Sequence, residues 1–143
     1  MAHKELLVGR VDFHIHRAEY LTDKDVITIS DPFVEIQIDG EEMFRTNVVQ
    51  DNLNPVWNES GSFNVNKEVS EIAFLVKDKD NIGADCLGKV SIPVQDLGGG
   101  NKIEGLFPLE GTTCEDPTKL EGKTGIDPAK LKFSIQYLEG ESV

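Results

Sequence analysis

Apolar and polar residues alternate along most of this chain, and that period of two restricts its fold more than any other feature. In RVDFHIHR, Val11, Phe13 and Ile15 fall on one side of an extended backbone while Asp12, His14 and His16 fall on the other. DPFVEIQID sets Val34, Ile36 and Ile38 against Phe33, Glu35, Gln37 and Asp39, and the Asp39-Gly40 pair reads as a turn into EMFRTNVVQ. SFNVN directs Phe63 and Val65 inward. EIAFLVKD is apolar on both faces, Ile72, Phe74 and Val76 on one and Ala73 and Leu75 on the other, as a central strand requires. LGKVSIPV aligns Val90, Ile92 and Val94, with Pro93 implying a sheet edge or a strand end. GLFPLEG is a short candidate, and KLKFSIQYL opposes Leu131, Phe133, Ile135 and Tyr137 to Lys132, Ser134 and Gln136. No long segment carries a helical period. Eight strands linked by Gly, Asn, Asp and Pro clusters predict an all-β chain, an eight-stranded antiparallel β-sandwich.

A chain of 143 residues can bury one core without structural staples, so residues 1–143 are read as a single domain with its core at about 5–139. One connection is oversized: residues 111–129 carry two Asp-Pro turns and room for a short helix at 117–120. No apolar run approaches the roughly 18 residues of a membrane span, and MAHKELLVGR lacks the pattern of a secretory leader. Cys86 and Cys114 stand far apart without metal-ligand spacing, so no disulfide is expected and a reducing cytosol fits. The formal net charge of -12 repels nucleic acid and, without a counter-ion, an anionic membrane leaflet. Nucleic acid is therefore not expected as a partner.

The placement of the acids says more than their number. Asp25 and Asp31 bracket the β-branched Val26, Ile27 and Ile29, while Asp78, Asp80 and Asp85 crowd KDKDNIGADCLG. The Asp-x-Asp spacing of 78 and 80 sends two carboxylates to one side of an extended backbone. A single loop aspartate is ordinarily a turn former. Taken together, five would repel by roughly 3 kcal/mol per pair at a separation of about 5 Å and an effective dielectric near 20, a cost that a divalent cation removes. Calcium, which takes oxygen ligands from flexible loops, suits such a set.

SDPFVEI, then NLNPVWNE, then VKDKDNIGADCLGKVSIPV resemble successive blocks of the C2 domain, the calcium- and phospholipid-binding module of protein kinase C and the synaptotagmins. The resemblance implies a sandwich in which loops from one pole cradle calcium with Asp25, Asp31, Asp78, Asp80 and Asp85 as ligands to about two ions, Asp23 being an alternative to Asp25. Two departures stand out: Val26, Ile27, Thr28 and Ile29 replace the family's first-loop glycine, and Asp85 follows Asp78 one place early. AKLKFSIQYLEG resembles the family's first strand moved to the end, which implies the circularly permuted, type II topology.

On this reading Val26, Ile27 and Ile29, with Ile82 from the third loop, project past the ions into the acyl boundary of an anionic phospholipid membrane. Full burial of each contributes about 1.5–3 kcal/mol. The same residues could instead pack in a strand or core, or form a partner-binding patch. His14 and His16 share a strand face and could chelate zinc, although a solvated face accounts for them without a third ligand. Trp57 reads as a packing anchor beneath the second loop. Arg45, Lys67, Lys77, Lys79 and Lys89 are scattered and make no dense phosphoinositide-binding patch. No nucleophile elbow or metalloprotease helix suggests an enzyme. The expected function is therefore that of a non-catalytic, monomeric, calcium-dependent targeting module, cytoplasmic and recruited peripherally to membranes in signalling or vesicle traffic. The alternative is a calcium-independent scaffold for protein partners.

Overall fold

The computed structural model describes residues 3–21, 30–79, 84–111 and 129–143. Their strands are β1 (Glu5–Glu19), β2 (Pro32–Ile38), β3 (Glu41–Arg45), β4 (Val56–Val69), β5 (Glu71–Lys79), β6 (Ala84–Pro93), β7 (Lys102–Pro108) and β8 (Lys130–Glu139). They form two four-stranded sheets, ordered β4-β1-β8-β7 and β3-β2-β5-β6. Every pairing is antiparallel.

The alternation in β1 does what its period predicts: Val11, Phe13 and Ile15 are buried between the sheets, and Asp12, His14 and His16 lie half-buried on the outer face. Leu131, Phe133, Ile135 and Tyr137 meet them from β8. Phe74 of β5 and Phe133 of β8 stack at 4.0 Å between ring centroids, joining the two layers. β5 lies inside its sheet with both faces buried, and Pro93 closes the edge strand β6, where its missing N–H interrupts no ladder. Asp39 and Gly40 both take positive φ, 47° and 88°, as a two-residue hairpin turn demands. The Asp39 carboxylate then accepts main-chain N–H groups of Ser70 and Glu71.

Three elements depart from the alternation. β4 begins at Val56 rather than Ser62, because the apparent turn residues of WNESG still pair with β1, Ser60 opposite His14 and Glu59 opposite Ile15. β3 stops at Arg45, after which the side chain of Thr46 accepts the Val34 N–H at 2.9 Å. A 3-10 segment, Val94–Gly100, is too short and too glycine-rich to show a period. The helix expected at 117–120 lies outside the described residues.

Strand direction gathers the end of β1, the starts of β2, β4 and β6, and the ends of β3 and β5 at one pole. Among the described residues no helix is long and apolar enough to cross a membrane.

Candidate cation site at the loop pole

Residues 46–55, the second loop, are tied to both sides of the first. Leu21 and Ala18, at the end of β1, donate main-chain N–H bonds to Leu53 and Pro55, each at 3.0 Å. On the other side Val49 donates to the Pro32 carbonyl and Asn52 to that of Ser30, each at 3.0 Å. Trp57 Nε1 also reaches the Pro32 carbonyl, at 3.3 Å, so its buried indole fixes the backbone next to Asp31. It ties the start of β4, just past the second loop, to the start of β2.

On that support the aspartates of two distant segments come together. The ladder sets Pro32 opposite Asp78, and Asp78 opposite Asp85. The Asp31 main-chain N–H donates to Asp78 Oδ1 at 2.8 Å, and Lys79 N–H returns to the Asp31 carbonyl at 3.1 Å. Asp78 is fully buried, Asp31 half-buried and Asp85 exposed. The sequence reading missed Asp51, whose N–H donates to Asp31 Oδ1 at 2.8 Å from a backbone at φ 51°. Its only signal was turn chemistry in QDNLNP. Asp25 and Asp80, and the apolar Val26, Ile27, Ile29 and Ile82, lie outside the described residues.

Carboxylate oxygens without nitrogen or sulfur donors suit a hard cation. Among the described residues alone, no group of three or more His, Cys, Asp or Glu side chains is arranged to hold a metal. Asp31, Asp78 and Asp85 are brought near one another at this pole, with Asp78 Oδ1 already oriented by a backbone donor.

Close to these acids the cations are not scattered. Arg45 and Lys77 converge on Glu35, at 2.7 and 2.8 Å, and Arg45 also holds Glu42 and covers the Phe33 ring at 4.9 Å. Burial pushes the Glu35 carboxyl upward, but hydrogen bonding and the Lys77 charge prevail and hold it below the usual glutamate value.

The cysteines require a correction. Cys86, beside Asp85, is disulfide-bonded, and the chain's other cysteine, Cys114, lies outside the described residues. Distance along the chain misled here, because Lys89 and Glu110 exchange main-chain hydrogen bonds that bring the stretch after β7 alongside β6. Disulfides persist in oxidising surroundings, which removes the compositional reason for assigning a reducing cytosol.

A two-sheet antiparallel sandwich with aspartates gathered at one pole is the architecture of the C2 domain. Residues 9–109 match the C2 domain family model, and the chain belongs to that family of membrane- and lipid-binding modules. Over 140 residues it is 36% identical to phospholipase D gamma 3 of Arabidopsis thaliana, an alignment that covers 94% of this chain and 15% of that protein. The C2A domain of plant extended synaptotagmin 1 superposes with a TM-score of 0.69 at 24% identity, covering 93% of this chain and 96% of that one. Calcium-bound C2A and C2B domains of extended synaptotagmin 2 give 0.70 at 23%, over 93% of this chain and 46% of theirs. These two likenesses establish the fold. The chain spans 15% of the length of the phospholipase that it matches.

Proposed function

We propose that this C2 domain is a non-catalytic targeting module that binds calcium at the loop pole and, once loaded, an anionic phospholipid membrane. The observation that carries the reading is the 2.8 Å bond from the Asp31 N–H to Asp78 Oδ1, which makes neighbours of residues 47 apart in sequence. Asp25, Asp31, Asp78, Asp80 and Asp85 are the proposed ligands, to about two ions in keeping with the family. Val26, Ile27, Ile29 and Ile82 are the proposed membrane contacts. The calcium-bound state of a structural relative is consistent with this reading. We read β8 between β1 and β7 as the permuted, type II strand order.

With a net charge of -12, two calcium ions leave the protein strongly anionic, so the change that matters is local. Carboxylates at the pole repel lipid phosphates until a cation stands between them.

A calorimetric and thermal titration with calcium tests this. Saturation at about 100 times the dissociation constant should stabilise the fold by about 2.7 kcal/mol, and Asp78→Asn or Asp31→Asn should abolish the gain. Vesicles of phosphatidylcholine and phosphatidylserine should then sediment the protein only with calcium, and Ile27→Ala/Ile29→Ala should weaken sedimentation while sparing the ion. No thermal response in millimolar calcium would reject the proposal and favour a calcium-independent protein scaffold.

A further inference from the structure

The outer face of the β4-β1-β8-β7 sheet carries a second feature, remote from the aspartates in chemistry. A shallow pocket of about 350 Å³ opens there between β1, β8 and β7, lined by His14, His16, Lys132, Ser134, Lys102 and Glu104 among others. The ladder explains the grouping: His14 lies opposite Ser134, which lies opposite Glu104, while Lys132 lies between Arg17 and Leu106. In a chain of net charge -12, two imidazoles and two ammonium groups on one small surface are a local reversal of sign.

The polar inventory of the pocket separates its cations. Lys102 is paired with Glu104 at 3.1 Å, and Arg17 with Glu19 at 2.6 Å. Lys132 is half-buried and has no carboxylate partner among the described residues. His14 Nδ1 bonds to Ser60 Oγ at 2.5 Å, which fixes the ring from the β4 side, and the His14 and His16 rings stand 6.2 Å apart. The His16 imidazole is held below its ordinary value, by burial first and then by the charges of Lys132, Arg17 and His14. That positive field opposes a metal ion on the two rings and favours an anion.

We infer that this pocket is a binding site for a phosphate-monoester anion, held by Lys132 with His14, His16 and the Ser134 hydroxyl. A dianion of that kind offers several strong acceptor oxygens to these donors, all on adjacent strands of a rigid sheet. Lys132 faces the anion from β8, Lys102 and its partner Glu104 from β7, the two histidines from β1 and Asn58 from β4, while Arg17 stands behind His16 at 3.3 Å from its Nδ1 and Ser60 behind His14. Because a bound anion favours protonated imidazole, affinity rises as pH falls through the histidine range, until the phosphate takes its own second proton near about pH 6.

The test is a proton NMR titration of the histidine ring signals with and without inorganic phosphate, with EDTA present so that the loop pole takes no part. Phosphate should raise the His16 titration midpoint. Lys132→Gln should weaken phosphate binding about tenfold, the size of one charge-assisted hydrogen bond, while Lys67→Gln on another surface leaves it unchanged. Unchanged thermal melting of Lys132→Gln confirms that the variant is folded. A parallel arm uses phosphatidylcholine vesicles containing phosphatidic acid, also in EDTA. Retention that Lys132→Gln abolishes makes the source a lipid headgroup, whereas a response to free phosphate alone makes it a soluble ester. A His16 midpoint indifferent to phosphate, or binding indifferent to Lys132, overturns the inference whatever calcium does at the other site.

Discussion

Glu35 carries the densest ionic chemistry in the described structure. Its carboxylate is buried, with a side chain only 4% exposed, and both oxygens are engaged, one by Arg45 and one by Lys77 and Gln37. Replacing it by Ala strands Lys77 and leaves Arg45 with Glu42 alone, so Glu35→Ala should cost about 1–3 kcal/mol in urea denaturation. Arg45 is about half-exposed, and its replacement by Gln leaves Glu35 paired with Lys77, so Arg45→Gln should cost less. A destabilisation by Glu35→Ala no larger than that of Arg45→Gln would show that the buried pair contributes nothing. This cluster was illegible in the sequence: Glu35, Arg45 and Lys77 belong to three strands, and period-two reading assigns Glu35 merely to a polar face. The aspartates were more legible because Asp is scarce in strand interiors, and Asp78 and Asp85 stand at strand ends where the pattern breaks. Spacing alone could not bring Asp31 to Asp78, however, and Asp51 gave no sign beyond turn chemistry.

Among the elements, β5 and β8 matter most to the joining of the layers. Phe74 and Phe133 are almost wholly buried, and Phe133 also stacks on Phe107 at 4.7 Å. Phe74→Ala should destabilise by about 3–5 kcal/mol. A double-mutant cycle with Phe133→Ala should show a coupling of about 0.5–1.5 kcal/mol from the ring contact itself. Strict additivity in that cycle would mean that the two rings act only by filling volume. Both strands were legible because burial on one or both faces writes itself as alternation or as an unbroken apolar run. β4 was read too short because its outward positions, Asn58, Ser60, Ser62 and Asn64, are residues that turns also favour. On a one-sided sheet, solvent-facing strand and loop share a vocabulary, and only pairing with β1 tells them apart.

Across the whole molecule, Asp12, Glu35 and His16 all hold their protons less tightly when folded than when unfolded. For Asp12 the chief cause is the Ser62 hydroxyl, opposed by burial and helped by Arg10. The unfolded chain therefore binds more protons, and stability contributed by these groups at neutral pH is lost on acidification. The loss starts below the ordinary histidine value of 6.5 and continues below the ordinary glutamate value of 4.5. Urea midpoints in non-phosphate buffers should fall from pH 7 to pH 4, and His16→Gln should flatten the upper part of that slope. A midpoint for His16→Gln that runs parallel to the parent from pH 7 to pH 5 would contradict this.

The place of β8 has a consequence for how the chain is made. It fills the gap between β1 and β7, and Tyr137 clasps the backbone of Val8 across 129 positions, donating to its carbonyl at 3.1 Å and accepting its N–H at 2.9 Å. A ribosome delivers β1 before β8, so until β8 emerges β1 has one unoccupied edge. Closure of the sandwich must await the emergence of β8, and such long-range pairing belongs to the slow, millisecond-to-second class of folding. The nascent domain therefore has an open edge that a chaperone could cover.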